Sequence, residues 1–249
     1  MKQTERWTRE EIDAARHQRQ EMLFGAGATE ILRQKHVAVF GIGGVGCYAV
    51  EALARSGVGT LTLVDRDVYS PTNLNRQLYA TLPTLGLSKV ETARRRVEEI
   101  DPSITVHARE LFFLPETAGD VDFSAFDYVI DAVDTVSAKV ALAVACREAG
   151  VPVISCMGTG NKTDPTALRV ADLYKTSLCP LARAVRNACR RAGVTRLKCV
   201  YSEEPPHRPP EALTDGESGK PIPASCAFVP AAAGLILAGE AVKDLLRER

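Results

Sequence analysis

The chain has 249 residues, of which 45% are hydrophobic and 25% are charged, and its 31 basic and 31 acidic residues give a formal net charge of zero. These proportions are those of an ordinary globular protein and exclude a disordered, collagen-like or low-complexity chain. A chain without net charge is not expected to bind nucleic acid through its overall charge, so any contact with RNA requires a local basic patch. We expect no DNA partner.

Hydropathy and the cysteine pattern indicate a cytoplasmic protein. No apolar stretch reaches the ~20 residues that span a bilayer, and the N-terminus is polar and contains acidic residues, unlike a signal peptide. These features leave open whether the protein associates peripherally with a membrane surface. The seven cysteines form no CxxC pair, which excludes a zinc site of two such pairs and favours buried, reduced thiols.

Strands and helices alternate along the first 160 residues of the predicted structure. Two helical pieces are expected within residues 5–35, split near residues 25–27. Strands are then predicted at 36–40, 60–64, 104–108, 127–130 and 152–155, and helices at 45–56, 88–100 and 136–149. This alternation predicts an α/β fold with a Rossmann-like, doubly wound and mainly parallel sheet.

The pattern changes after residue 160, where we expect a C-terminal extension of the same domain over residues 161–249. Strands at 168–173 and 197–202 would flank a basic helix at 181–192. A segment rich in Pro, Gly and charge at 203–223 is predicted to form a mobile loop. The last predicted helix, at 230–247, has a small apolar face.

A glycine-rich turn joins the first strand to the helix that follows it. The turn fits GxGxxG in the strand–helix context that this motif requires, and its glycines are Gly41, Gly43, Gly44 and Gly46. Such a turn lets a phosphate approach the backbone at a helix N-terminus. Asp65 ends the second strand, where it can accept hydrogen bonds from ribose hydroxyls. A nucleotide site is predicted, although a turn needed only for packing would look the same.

The residues beyond Asp65 favour ATP over a nicotinamide cofactor. Adenylation needs cations that stabilise charge on the leaving pyrophosphate and a carboxylate that holds Mg²⁺. Arg76, Lys89 and Asp134 supply those groups, and Asp134 follows the fourth strand, at the same crevice as Gly43. A dehydrogenase does not require this set.

The segment DRDVYSPTNLNRQ, together with GIGGVG, SK and DAVD, resembles the ubiquitin-activating-enzyme-like (ThiF/MoeB-like) adenylation family. The resemblance implies that residues 1–160 form an ATP-binding adenylation domain. By this resemblance the nucleoside end of ATP lies against Asp65 and Asn73, with Asp67 also among the ATP-binding residues.

The same resemblance implies that Arg76 and Lys89 contact the phosphates and that Asp134 binds Mg²⁺. It also implies a homodimer in which Arg19 of one subunit reaches the ATP of its neighbour, so that Arg19, Arg76, Lys89 and Asp134 are the candidate catalytic residues. The alternatives are solvated charges for Arg19 and Lys89 and a helix cap for Asp134.

Later segments resemble one branch of that family, the tRNA threonylcarbamoyladenosine dehydratases: YKTS, PLAR, VYSEE and AFVPA. This implies ATP-dependent activation of a carboxylate on a modified adenosine of the tRNA anticodon loop, and then cyclisation with loss of water. An acyl-adenylate and an acyl-phosphate both stay open as the intermediate. The family's activators of sulfur carriers generally hold structural zinc in two CxxC pairs, so no zinc is expected here.

Three rival functions stay open at this point. The first is an adenylating activator of a sulfur-carrier C-terminus, the second is a dehydrogenase, and the third is a non-catalytic adaptor in sulfur trafficking. A partner from a cysteine desulfurase or sulfur-acceptor system also stays open. Cys179 stands where the family pattern has an acidic residue, and is either a loop thiol or a nucleophile or sulfur acceptor. For Cys226 a buried packing role is expected.

Residues 175–198 contain seven cations and no acid. Such a patch attracts RNA phosphates without reading sequence, and a solvated helix face is the alternative. The expected tRNA-binding residues are Lys175, Arg183, Arg186 and Arg190. On the basic helix, the predicted apolar face consists of Leu181, Ala184, Val185, Ala188 and Ala192.

Overall fold

The computed structural model describes residues 7–211, 213–214 and 221–247, with the side chain of Ala14 left out. A seven-stranded sheet with the order β3-β2-β1-β4-β5-β7-β6 lies between two layers of helices. All neighbouring strands are parallel except β6 and β7, which are antiparallel. The prediction of a doubly wound, mainly parallel α/β sheet is confirmed.

The strands are β1 (His36–Phe40), β2 (Thr60–Val64), β3 (Thr105–Arg109), β4 (Tyr128–Asp131), β5 (Val153–Cys156), β6 (Leu168–Asp172) and β7 (Lys198–Ser202). The helices are α1 (Arg9–Arg16), α2 (Gln18–Phe24), α3 (Ala28–Arg33), α4 (Gly46–Arg55), α5 (Lys89–Ile100), α6 (Val136–Ala149), α7 (Pro180–Arg191) and α8 (Phe228–Arg247). Short 3₁₀ turns join several of them. No helix of the described ranges is both long and apolar enough to cross a bilayer.

The order of the strands places a crevice above the sheet. β1 pairs with β2 on one side and with β4 on the other, so the chain reverses its direction of winding at β1. In such sheets the loops after the two central strands separate at their carboxyl ends and leave room for a ligand. The loops after β1 and β4 carry the glycine turn and Asp134, and the fold thus brings these two segments to one place.

Helix α8 covers one face of the sheet by packing closely on α4. A Cβ atom at Gly234 would lie 2.2 Å from the carbonyl oxygen of Val45, so only glycine permits this approach. Leu237, Ala241 and Leu245 of α8 are buried. The apolar face of this helix is larger than predicted, because small residues let it lie against α4 and the sheet along most of its length.

The N-terminal helical region contains three helices where the sequence predicted two pieces. The split near residues 25–27 is present, since Gly25 and Gly27 have φ angles of 92° and 84°. A second break occurs at His17, which ends α1 and precedes α2. His17 is buried against Gly57 at this break. Residues 5 and 6 lie outside the described ranges.

The segment predicted as a loop at 203–223 is only partly within the described ranges, which leave out residues 212 and 215–220. The rest of it contains one isolated bridge, between Thr214 and Pro221. The mobility of this loop stays a prediction.

Candidate active site

The glycine turn after β1 is shaped by close approaches between backbone atoms. Gly41 has a φ of 86°, and a Cβ atom there would lie 2.7 Å from the carbonyl oxygen of Ala132. At Gly46 a Cβ atom would lie 1.8 Å from the carbonyl oxygen of Gly41. Gly43 is different, since the nearest atom to its Cβ position is 3.9 Å away, on Gln77. Gly41 and Gly46 therefore permit the close backbone contacts within the turn, and Gly43 leaves the inner surface of the turn open.

A cleft of about 680 Å³ opens at this turn, within the size range of small-molecule sites. Nine of the predicted ATP-binding residues line it: Gly41, Gly43, Gly44, Asp65, Asp67, Asn73, Arg76, Lys89 and Asp134. They come from the segments that follow β1, β2 and β4 and from the start of α5. Gly46 lies beneath the turn and does not line the cleft.

Asp65 is tied to the glycine turn by its carboxylate. One oxygen accepts the backbone N–H of Ile42 at 2.7 Å, and the other accepts that of Asp67 at 2.9 Å. A carboxylate has about four acceptor positions, so each oxygen can still accept a hydroxyl from the cleft. The two amide bonds fix the carboxylate at the end of β2.

Asn73 and Arg76 lie on the segment that follows β2. Asn73 is buried, and its Oδ1 atom accepts the backbone N–H of Ser70 at 3.0 Å. One terminal nitrogen of Arg76 donates to the carbonyl oxygen of Thr72 at 2.7 Å, and the stem of its side chain packs beside Gly44. A guanidinium has five donors, so Arg76 can bind an anion while keeping this contact.

Lys89 opens α5 and is nearly buried in the wall of the cleft. Its Nζ atom lies 2.8 Å from a carboxylate oxygen of Asp67. The two residues are also linked through the backbone, since Lys89 N–H donates to the Asp67 carbonyl at 3.0 Å. The solvated-charge alternative does not fit Lys89, whose side chain is only 7% exposed. A bound phosphate would share this ammonium group with Asp67.

Asp134 is exposed in the cleft and does not cap α6. The N-cap residue of that helix is Thr135, and the contact found for Asp134 is a 3.2 Å hydrogen bond from the hydroxyl of Thr135 to its Oδ1 atom. The helix-cap alternative is therefore wrong. Mg²⁺ in nucleotide sites is bound by one or two carboxylates, with phosphate and water oxygens completing the shell. A single accessible carboxylate beside the phosphate turn fits that requirement.

The sequence analysis missed a buried group of charges directly behind this loop. Lys139 of α6 contacts both carboxylate oxygens of Asp131 at 3.0 Å, and the hydroxyl of Ser155 donates to Asp131 at 2.5 Å. The sequence contains a signal for this buried group, because Lys139 is a lone lysine in an apolar helical run that faces the sheet. The DAVD motif contains Asp131 but does not identify this partner.

A second wall of the cleft was also missed. It is formed by residues 157–162 after β5, by residues 179–181 at the start of α7, and by Pro206, Ile222 and Pro223. Lys162 of this wall is only 3% exposed. The segment lacks a familiar motif, so no local pattern predicts its position beside the glycine turn.

The thiols near this wall are mostly buried. Cys179 is 4% exposed, and its Sγ atom accepts the backbone N–H of Ala182 at 3.5 Å, which makes it a weak cap of α7. Burial raises the pKa of Cys156 to about 12, so this thiol stays protonated. Cys226 is partly buried, with its Sγ atom 3.5 Å from the carbonyl oxygen of Lys162.

Arg19 does not lie in the cleft of its own chain. It is exposed on α2, a helix without buried residues. Two apolar neighbours on α2, Met22 and Leu23, are 82% and 77% exposed. The structure thus keeps Arg19 apart from the other predicted catalytic residues.

The predicted tRNA-binding residues differ in their surroundings. Lys175, Arg183 and Arg190 are exposed. Arg186 is half-buried and donates to the backbone carbonyl and the hydroxyl of Thr176, both at 2.8 Å. It holds the loop before α7. Lys198, at the end of the basic stretch, forms ion pairs with acids of α8 at 2.7 and 2.8 Å, which reduces the charge of the patch.

The apolar face of α7 is partly different from the predicted one. Val185 is buried as expected, but Ala184 is exposed, and the other buried residues are Ala182 and Cys189. The helix is rotated so that these small side chains meet α6 and β7. The predicted face did not include Ala182 or Cys189.

Known proteins resemble the whole chain. The model of the ThiF family matches residues 17–249. The tRNA threonylcarbamoyladenosine dehydratase of Bacillus subtilis is 41% identical over 239 residues, which cover 92% of this chain and 94% of that protein. The Haemophilus influenzae dehydratase is 47% identical over 160 residues, 64% of this chain and 61% of that protein. A crystal structure of the Escherichia coli dehydratase in complex with ATP matches with a TM-score of 0.86 at 31% identity and 97% coverage of both chains.

Proposed function

The chain belongs to the ThiF family, and we propose that it is an ATP-dependent dehydratase of threonylcarbamoyladenosine in tRNA. The observation that carries this proposal is one cleft in which Arg76, Lys89 and Asp134 lie beside the glycine turn. These residues supply the cations and the carboxylate that an activated triphosphate needs, and a nicotinamide cofactor needs none of them.

The reaction begins with a carboxylate that is a poor electrophile. ATP converts it into an anhydride with phosphate, either an acyl-adenylate or an acyl-phosphate, and the family favours the adenylate. Arg76 and Lys89 stabilise the charge that develops on the leaving phosphate groups. Asp65 and Asn73 hold the nucleoside end of ATP at the end of β2, with Asp67 beside them.

Ring closure follows within the activated substrate. A ureido nitrogen attacks the carbonyl carbon, a C–N bond forms while the C–O bond to phosphate breaks, and the N–H proton leaves. The modified nucleoside has then lost one water. Because the nucleophile and the electrophile belong to one molecule, proximity supplies much of the rate. No protein nucleophile is needed, so a covalent role for Cys179 is not part of this mechanism.

Asp134 would hold Mg²⁺ in this reaction. The ion, when bound, neutralises phosphate charge and orients the phosphate oxygens. Asp134 is suited to this role because its carboxylate faces the cleft and is not used as a helix cap. The resemblance to the family gives no reason to expect zinc.

A homodimer would explain the position of Arg19. Arg19 is exposed on α2 next to Met22 and Leu23, and exposed apolar residues of this kind favour burial against a partner. In a dimer formed through α2, Arg19 would enter the neighbouring subunit's cleft and contact its ATP phosphates.

The tRNA would be held by the exposed cations Lys175, Arg183 and Arg190. They lie on or next to α7, whose first residues line the second wall of the cleft. Phosphate contacts on this surface would bring the anticodon loop to the site without reading its sequence. Arg186 contributes by fixing the loop before α7 and adds positive charge to the same face.

A partner from a cysteine desulfurase or sulfur-acceptor system stays a prediction. The cytoplasm is the proposed compartment, because the substrate is tRNA. Activation of a sulfur-carrier C-terminus is the alternative function, and it is disfavoured by the basic surface beside the cleft.

Substrate-dependent consumption of ATP tests the proposal against this alternative. The purified protein is supplied with ATP and Mg²⁺, and with either modified tRNA, the same tRNA lacking threonylcarbamoyl, or a carrier protein that ends in Gly-Gly. We expect only the modified tRNA to stimulate ATP consumption, and chelation of Mg²⁺ to abolish it. Stimulation by the carrier protein alone would overturn the proposal in favour of the alternative.

A further inference from the structure

Lys162 is a lysine almost wholly enclosed in the second wall of the cleft. It is 3% exposed and also lines the cleft. Its Nζ atom donates one hydrogen bond, to the backbone carbonyl oxygen of Glu204. An ammonium group has three donors, so two can still point to a ligand.

The charge of Lys162 has no direct counter-ion within the described ranges. The carboxylate of Glu204 accepts the backbone N–H groups of Thr163 and Asp164, both at 2.9 Å, and contacts His207 at 2.8 Å. These bonds turn it away from an ion pair with Lys162. A buried cation without an anion is costly, and burial lowers the pKa of Lys162. An incoming anion would remove that cost.

The backbone before Lys162 is held rigidly. Asn161 adopts a φ of 58°, a left-handed conformation that few residues other than glycine, asparagine and aspartate adopt. Its Oδ1 atom accepts the backbone N–H of Ala224 at 2.8 Å, its N–H donates to the carbonyl of Ala224 at 2.7 Å, and its carbonyl accepts the N–H of His207 at 2.8 Å. Three bonds from one residue therefore fix the position from which Lys162 extends.

We propose that Lys162 is the substrate-binding cation that holds the threonyl carboxylate of the modified adenosine opposite ATP. This inference rests on the proposed function. In the proposed function the ATP phosphates already have Arg76, Lys89 and the glycine turn, which line the same cleft. The second anion of the reaction is the carboxylate to be activated, and Lys162 is the cation of the second wall. An ion pair there orients the carboxylate oxygen toward the phosphate.

The test compares the binding of two tRNAs, identical except for the threonylcarbamoyl group, by the wild type and by Lys162→Met. We expect the wild type to bind the modified tRNA at least tenfold more tightly, and the variant to lose most of this preference. ATP affinity and the affinity for unmodified tRNA should stay within twofold. Lys162→Arg, which keeps the charge, should retain part of the preference.

Lys175→Met is the matched control, because it removes an exposed cation outside the cleft. It should weaken the binding of both tRNAs alike. An unchanged preference in Lys162→Met, whether or not turnover slows, would overturn the proposal, and so would a selective loss of ATP affinity. Thermal unfolding of each variant separates these outcomes from misfolding. If the wild type dehydrates its substrate but binds both tRNAs equally well, only the Lys162 proposal is refuted. If the wild type does not dehydrate its substrate, the proposed function is refuted.

Discussion

The ion pair between Lys139 and Asp131 is buried beneath the loop that carries Asp134. The two side chains are 0% and 2% exposed, and a carboxylate oxygen of Asp131 also accepts the backbone N–H of Val133 at 3.1 Å. Asp131 thus links α6 to the loop that follows β4. Lys139 is a positioning residue, because it acts on the cleft only through Asp131.

Removing Lys139 alone should be strongly destabilising. Lys139→Met would leave the Asp131 carboxylate buried without its cation, and such a change costs about 3–5 kcal/mol. The free energy of unfolding, measured in denaturant, checks this value. Adding Asp131→Asn to the variant removes the buried charge and should recover a large part of the loss. Lys243→Met, at an exposed ion pair of α8, should cost less than about 1 kcal/mol. A similarly small effect for Lys139→Met would contradict the account.

Two glycines of the turn should respond differently to alanine. Gly46→Ala places a methyl group 1.8 Å from the Gly41 carbonyl oxygen, so both the stability and ATP binding should fall. Gly43→Ala meets no protein atom closer than 3.9 Å and should leave the thermal midpoint nearly unchanged. Its methyl group would lie on the inner surface of the turn, where the ATP phosphates are proposed to bind. The ATP affinity should therefore drop about tenfold, or 1.4 kcal/mol. Calorimetry with ATP and thermal unfolding measure the two effects, and unchanged ATP affinity in Gly43→Ala would place the phosphates elsewhere.

Arg19 should act across a subunit interface. Arg19→Ala and Asp134→Ala are each expected to inactivate the homodimer, since each removes one part of both sites. A heterodimer of the two variants holds one complete site and should recover up to half of the activity per dimer. Separately tagged subunits, purified as heterodimers, allow this measurement. Failure of verified heterodimers to recover activity would show that Arg19 works in its own chain or not at all.

The exposed cations around α7 should determine the salt dependence of tRNA binding. Reversing Lys175, Arg183 and Arg190 to Glu should weaken tRNA binding. The slope of log affinity against log salt concentration should become shallower by about 2 to 3, because each phosphate contact contributes about 0.7–0.9 to that slope. ATP affinity should not change. Lys243→Glu with Arg247→Glu, two exposed cations of α8, is the charge-reversal control at a different surface. If the triple reversal stays within about twofold, or 0.4 kcal/mol, the patch is a solvated face.

Arg186 is left out of that reversal because the structure gives it a second role. Its hydrogen bonds to Thr176 would be lost on substitution, so a change in tRNA binding could not be separated from a change in the loop. This distinction was not accessible from the sequence, where Arg183, Arg186 and Arg190 share one helix face.

Local sequence patterns predicted the helices and strands, and also the side of the cleft that contains the glycine turn. The glycine turn and Asp65 are set by residues close in sequence, and parallel strands bring their carboxyl ends to one edge of the sheet. The partners of buried charges depend instead on the rotation of helices and on segments far apart in the chain. Lys139 meets Ser155, and Lys162 meets Glu204, only after the sheet is assembled. Composition and periodicity contain no information about those pairings.

The most direct measurement of the central claim is the mass of the modified nucleoside after reaction. Purified protein is incubated with ATP, Mg²⁺ and tRNA that carries threonylcarbamoyladenosine, and the tRNA is then digested to nucleosides under mild conditions. We expect the threonylcarbamoyladenosine mass to be replaced by one lower by a single water, and we expect this change to require ATP and to be lost in Asp134→Ala. An unchanged nucleoside mass in the presence of ATP, with the wild-type protein folded and bound to ATP, would contradict the account.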